Sequence, residues 1–135
     1  MISAKVTRKD RLFAKLRAMV PASETAMAEA NTQSAEEMLS LARSYVPVEH
    51  GALRASLRQS PAERGAVLVE AGGPATTKAV RSGSTATFDY ALGQEYGTAK
   101  HPAQPFFWPA YRLMRTRFRG RASRALNKAL KAVVK

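Results

Sequence analysis

The sequence lacks cysteine altogether and holds only two histidines, His50 and His101. Without cysteine there is no disulfide framework, no thiolate nucleophile and no cysteine-based zinc site. Two isolated histidines with no paired acidic motif make a poor metal site, and no phosphate-binding loop or nucleophile-elbow motif is present. We therefore expect no catalytic residue, no metal and no cofactor, and a protein that is not an enzyme.

Long apolar runs are missing as well. No segment approaches the roughly 18–20 apolar residues that a membrane-spanning helix needs. The first residues, MISAKVTRKDRLFAKL, include no apolar stretch of the length found in signal peptides. These features predict a protein of the cytoplasm with no membrane partner.

Acidic side chains are absent from the last forty residues, which carry ten basic ones, and the whole chain has a net charge of +12. Such a balance indicates an anionic partner or a passing anionic polymer. The favoured interpretation is an amphipathic C-terminal helix with a solvated basic face; the alternatives are electrostatic proximity to DNA and groove-reading DNA binding. The candidates for electrostatic contacts are Arg112, Arg115, Arg119, Arg121 and Arg124.

The length suits one domain, and we predict a single domain over 1–135. A basic helix is expected over 1–20, because apolar residues recur there at helical spacing. Pro21 is expected to interrupt it, since proline is poorly tolerated in a helix interior. A long, alanine-rich helix is predicted over 22–45, ending before Pro47.

The segment 52–88 is predicted to form an antiparallel sheet. Strands are expected at 53–60 and at 66–71, and the second of these is rich in β-branched residues and is followed by two glycines. The polar stretch 76–87 is either a weak strand pair or a mobile loop. We favour a short strand at 76–80 followed by a mobile segment.

A basic helix is predicted over 109–134, with Pro109 at its first position, where a missing N–H has no helical partner to lose. Three prolines within 101–109 predict an extended loop before it. Residues 88–96 are expected to run from a strand end into one helical turn that Gly97 stops. The predicted fold class is α+β, with a small antiparallel sheet packed against a long N-terminal helix and a C-terminal helix.

Three short segments stand out, each built around glycine or proline. The first joins a helix to the next element through one tight turn, in which Gly51 is expected to take a positive φ. The second places two tyrosines and a carboxylate close to a glycine stop. The third holds three consecutive aromatic residues between prolines. The candidate fold and interface residues are Val46, Pro47, Gly51, Leu53 and Ser56, then Tyr90, Ala91, Glu95, Gly97 and Thr98, then Gln104, Pro105, Phe106, Trp108, Pro109 and Ala110.

The aromatic run 106–108 is costly to expose to water. It packs either under this domain's own helix or into another subunit. We expect Phe106 to face inward and Trp108 to contact a neighbour; the alternative is that all three side chains belong to the domain's own core.

In order and spacing, the three segments resemble the small neck and tail-completion proteins of long-tailed bacteriophages and prophages, over residues 25–125. The family pattern reads Val-Pro-Val-x-x-Gly-x-Leu-x-x-Ser, then Tyr-Ala-x-x-x-Glu-x-Gly-Thr, then Gln-Pro-Phe-x-x-Pro-Ala before a terminal helix. This chain meets its fixed positions. It departs at Gln94, where the family often has an aromatic or aliphatic residue.

The resemblance implies a structural virion protein at the head–tail joint: a ring-forming tail terminator that caps the tail tube and lets the head attach. Its implied partners are further copies of itself, with a hexamer favoured, the tail tube protein and an adjacent neck protein. DNA would pass through the lumen without sequence-specific binding. The implied location is the virion neck or tail, after assembly in the cytoplasm of a bacterial host.

Other interpretations stay open. Another neck ring, a connector or stopper, is the nearest, and twelve copies would suit a connector. A basic nucleic-acid-binding module is supported by the charge alone. A small hydrolase using Ser56, His50 and Glu49 has no supporting motif.

Overall fold

The computed structural model describes residues 3–135, with side chains from Arg8 onwards. It has the predicted α+β fold class, with long N-terminal and C-terminal helices and small antiparallel sheets. Met1 and Ile2, which the predicted first helix includes, lie outside the described residues. The helices are α1 (Ser3–Tyr45), α2 (Gly51–Ser56), α3 (Tyr90–Tyr96) and α4 (Phe107–Val134), and the strands are β1 (Arg58–Pro61), β2 (Val67–Glu70), β3 (Thr77–Ala79) and β4 (Thr87–Asp89).

Helix α1 is continuous for 43 residues, with Pro21 inside it. The predicted break between 1–20 and 22–45 is therefore wrong. A proline removes one intrahelical donor and crowds one carbonyl, here that of Arg17, so the local cost is limited to one turn of a long helix. The Ser23 hydroxyl donates to the Val20 carbonyl (2.7 Å), and the Thr25 hydroxyl donates to the Pro21 carbonyl (2.9 Å). Packing along α4 stabilises the rest of the helix.

Helices α1 and α4 run antiparallel. The Lys15 ammonium donates to the carbonyl of Val134 (2.9 Å) near one end of the pair. Towards the other end, the Arg121 guanidinium donates to the Ser34 hydroxyl (2.7 Å). The residue numbers of the contacting pairs thus increase along α1 and decrease along α4.

The strands form two separate two-stranded antiparallel sheets and not the single sheet predicted over 52–88. In one, β1 pairs with β2, with Arg58 opposite Glu70; in the other, β3 pairs with β4, with Thr77 opposite Asp89. The strand predicted at 66–71 is confirmed as β2. The short strand favoured at 76–80 is confirmed as β3, and it pairs with β4, which begins at Thr87.

The strand predicted at 53–60 is wrong in its first half, because Gly51–Ser56 is helix α2. Leu53 and Leu57 are four residues apart, and both are fully buried. A helical turn places such a pair on one face. Alanine, leucine and arginine, which fill this segment, are among the best helix formers. Only 58–61 is extended, as β1.

Helix α4 begins at Phe107, two residues earlier than predicted, so Pro109 is its third residue and not its first. The misplacement is harmless, because the amide groups of the whole first turn have no intrahelical partner. The core lies where α1, α2, α3 and the start of α4 meet. Its buried members are Met38, Leu39, Ala42, Val46, Leu53, Leu57, Ala91, Phe106 and Ala110.

Candidate functional site

The three sequence segments converge in this core. Val46 and Leu53 come from the first segment, Ala91 from the second, and Phe106 and Ala110 from the third, and each of them is buried. The inward position expected for Phe106 is confirmed, since its side chain is 1% exposed. The segments therefore form one packed unit in space.

The first segment turns tightly after α1. The amide of His50 donates to the carbonyl of Pro47 (3.0 Å), and the next residue, Gly51, already begins α2. The positive φ expected at Gly51 is wrong, because the turn closes before this residue. The Ser56 hydroxyl then donates to the Leu53 carbonyl (2.7 Å) and accepts from the amide of Gly72 (2.9 Å). These bonds tie α2 to the end of β2.

Asp89 forms a second tie, which the sequence analysis missed. Its carboxylate accepts hydrogen bonds from the Thr76 hydroxyl (2.7 Å), the amide of Ala91 (2.9 Å) and the amide of Gly73 (2.9 Å). Burial by itself would raise the pKa of Asp89, but these three donors lower it below its ordinary value. The available signal was an aspartate directly before a helical turn, which is a favoured N-cap.

Glu95 joins the second segment to the third. Its carboxylate is buried and accepts from the amides of Phe106 (2.8 Å), Phe107 (2.9 Å) and Trp108 (3.0 Å). These are among the first amides of α4, which lack partners within the helix. The next residue, Pro109, has no amide hydrogen. The start of α4 is therefore capped by one carboxylate and one proline, and the carboxylate also complements the positive end of the helix dipole.

The loop between α3 and α4 is fixed by Gly97, Thr98 and Gln104. Gly97 ends α3 with φ +79°, and a side chain there would lie 2.8 Å from the amide of Ala103. The Thr98 hydroxyl accepts from the amide of His101 (3.1 Å). Gln104 pairs with Gln94 through both backbone (2.8 Å) and side chains (2.8 Å). Gln94, where the chain departs from the family pattern, thus helps to hold this loop, which ends at the exposed Pro105.

Both histidines line one open cleft of about 1250 Å³, which was not predicted from the sequence. His50 lies beside Tyr90, with ring centroids 6.0 Å apart, and the Lys78 ammonium lies 5.4 Å above the same tyrosine ring. Ser56, the serine considered for a hydrolase, uses its hydroxyl to hydrogen-bond the Leu53 carbonyl and the Gly72 amide. Over the described residues, no group of three histidine, aspartate or glutamate side chains is placed to hold a metal ion.

An aromatic face, defined as Tyr96, Phe107, Trp108 and Tyr111, lies on the outside at the start of α4. The Trp108 indole is 44% exposed and donates to the hydroxyl of Tyr96 (2.7 Å), which is itself 64% exposed. The rings of Phe107, Trp108 and Tyr111 meet edge to face. Such contacts hold the exposed rings in fixed positions. The contact between Trp108 and a neighbour stays a prediction.

The basic candidates on α4 divide into two groups. Arg121 is largely buried and bonded to the Glu37 carboxylate (2.5 Å), and Arg117 forms a looser ion pair with the same residue (3.3 Å). Arg112, Arg115, Arg119 and Arg124 are exposed, and within residues 8–135 none of these four forms an ion pair. Arg121 therefore belongs to the packing of α4 on α1, whereas the other four are available to a partner.

No protein-family model, curated protein or solved structure matches this chain. Among the described residues, no helix is both long enough and apolar enough to cross a membrane.

Proposed function

We propose that the protein is a structural subunit of the bacteriophage head–tail joint, a ring-forming tail terminator that caps the tail tube and allows head attachment. One observation carries the proposal: the three resembling segments meet in a single unit around Glu95 and Phe106. Each segment contributes a buried side chain to the same core, as the parts of one family pattern would. Several of the fixed positions, among them Leu53, Glu95 and Phe106, serve folding, which suits a family that conserves a shape and has no enzymatic chemistry.

The outer surface also suits a subunit that binds copies of itself. Ring closure needs two different faces that fit each other by rotation. The aromatic face offers a fixed, half-exposed anchor of the kind that dominates protein interfaces. The β3–β4 hairpin offers exposed strand edges, to which another chain can add a strand. A hexamer suits a terminator on a six-fold tail, with the tube protein and an adjacent neck protein as partners in the virion.

A basic nucleic-acid-binding module is the second candidate, and the distribution of charge favours it. Four exposed arginines on α4 have no acidic partner within residues 8–135. Phosphate attraction alone would bind DNA weakly and without sequence preference. A DNA-binding function leaves the aromatic face without a role, so a ring-forming subunit accounts for more of the protein surface.

Native mass spectrometry and negative-stain electron microscopy of the purified chain test the proposal, with and without isolated tails of a long-tailed phage. We expect closed rings, or protein bound at tube ends. Trp108→Ala is expected to weaken ring formation or tube binding, and Leu113→Ala, an exposed residue of the same helix, serves as the control. The proposal would be overturned by a protein that stays monomeric, does not bind tail tubes, and binds duplex DNA with a steep salt dependence.

A further inference from the structure

The net charge of the protein is confined to two stretches of chain. Residues 30–110 contain seven basic and seven acidic side chains, so they are neutral as a unit. The residues before and after them contain fifteen basic and three acidic side chains, which accounts for the whole net charge of +12. These stretches are the first part of α1 and nearly all of α4, which lie side by side.

We use the name arm for the end of this helix pair that lies away from the core, which comprises residues 8–29 of α1 and 122–135 of α4. No residue of the arm is fully buried; along α1 the first buried side chain is Ala30, and in α4 the buried one is Ala110. Two helices alone cover only part of each other's apolar stripes, whereas bundles of three or four helices bury them. The arm therefore resembles a helical bundle from which one helix is missing.

The uncovered side chains on α1 are Leu12, Phe13, Leu16 and Val20, which are 56%, 52%, 47% and 58% exposed. Their spacing places them on one face of the helix, and we call them the apolar stripe. Scattered exposed apolar residues are ordinary, but a contiguous row of four large ones marks an interaction site. The stripe is interleaved with exposed cations, of which Lys9 and Arg17 are examples.

We propose that the arm binds an acidic amphipathic helix of another protein, which completes the bundle. The arm carries nine basic and three acidic side chains, so a second copy of the same arm would be repelled. Nucleic acid would satisfy the cations but would leave the apolar stripe in water. An acidic helix with its own apolar stripe matches both features, because opposite charges then flank a buried apolar seam. This inference goes beyond ring formation, since the arm is separate from the aromatic face.

The test is fluorescence anisotropy of the full chain with three labelled synthetic peptides of equal length. One peptide has leucine at heptad positions a and d and glutamate elsewhere, the second replaces glutamate by lysine, and the third replaces leucine by glutamine. We expect the first to bind at least about tenfold more tightly than either other peptide. A 20-base-pair DNA duplex and vesicles of anionic phospholipid are measured in parallel.

The matched variants are Phe13→Ser combined with Leu16→Ser, and, as the control, Val48→Ser, an 85% exposed residue far from the arm in sequence. The double variant is expected to lose about tenfold or more in affinity for the acidic peptide, and the control to lose none. A charge variant, Lys9→Glu with Arg17→Glu, is expected to weaken the same complex. Circular dichroism verifies folding, and hydrogen exchange on the natural chain is expected to slow over residues 12–20 when the peptide is added.

Several results would overturn the inference. Equal binding of all three peptides would remove the requirement for acidity and apolarity. Preference for the duplex or the vesicles, with no effect of the double variant on peptide binding, would assign the arm to nucleic acid or lipid. A double variant that changes only the oligomeric state of the protein, and not peptide binding, would assign the stripe to a second copy of this chain. Loss of ring formation in Trp108→Ala bears on the proposed function and leaves these outcomes unchanged.

Discussion

The carboxylate of Glu95 accepts a hydrogen bond from the amide of Phe106 (2.8 Å), eleven residues further along the chain. Phe106 is the N-cap of α4, and its ring lies in the core, so the same residue is held through its backbone and through its side chain. This one contact sets where α4 begins.

Replacing Glu95 should destabilise the whole domain. Glu95→Ala leaves one buried and two partly buried amides without an acceptor, and we expect the free energy of unfolding to fall by about 3 kcal/mol. Glu95→Gln keeps one acceptor oxygen and loses the charge, so about half that loss is expected. Urea unfolding followed by circular dichroism measures both. Glu49→Gln, an exposed carboxylate in the turn after α1, is the control, and a loss as large as that of Glu95→Gln would contradict the assignment.

Asp89 should make stability depend on acidity. Its pKa is lower in the folded protein than in the unfolded chain, where it has the ordinary value of about 4. The stabilisation is therefore present above that ordinary value and is lost as the pH falls through the lowered pKa. Relative to Asp89→Asn, the natural protein is expected to be more stable by about 1–2 kcal/mol at pH 7, with the difference shrinking below about pH 4. Thermal unfolding at several pH values tests this, and a constant difference down to strongly acidic pH would refute it.

Gly65 should tolerate no side chain. Its φ is +75°, and a Cβ there would press on the carbonyl of Glu24 and lie 3.0 Å from the amide of Ala28. Gly83 has almost the same φ, +78°, but stands in open space. We expect Gly83→Ala to lower the free energy of unfolding by about 1 kcal/mol, from backbone strain alone. Gly65→Ala is expected to lower it by at least about 2 kcal/mol more, because α1 must also move. Equal losses in urea unfolding would show that this close packing is unimportant.

Elements decided by a local signal were predicted correctly from the sequence. Periodic apolar residues predicted α4, β-branched residues predicted β2, and Gly97 marked the end of α3. The break predicted at Pro21 is absent, because packing along α4 outweighs the local cost of one proline. Long-range packing is not visible in the local pattern.

The candidate site shows the same division. The residues singled out in the three segments were predicted as a set, but the sequence alone did not say that Glu95 binds the start of α4, since eleven or more residues separate the partners. The roles of Asp89 and Thr76 were missed for the same reason. Arg121 was grouped with its exposed neighbours because charge gives no indication of burial, and the acidic partner, Glu37, lies on α1.

Arg121 and Arg119 should therefore behave as opposites. The Arg121 side chain is 14% exposed and bonds to Glu37 and Ser34, whereas Arg119 is exposed. Arg121→Ala leaves a partly buried carboxylate whose remaining cation, Arg117, lies 3.3 Å away in a more exposed ion pair, and we expect a loss of about 2 kcal/mol in the free energy of unfolding. Arg119→Ala is expected to change it by less than about 0.5 kcal/mol. Urea unfolding of the two variants gives the comparison. Arg121 is engaged within the fold, so any weak binding of duplex DNA is expected to depend on Arg119 and not on Arg121. DNA binding of the two variants is compared at a temperature where both are folded. Similar stability losses in both variants would contradict the structural role given to Arg121.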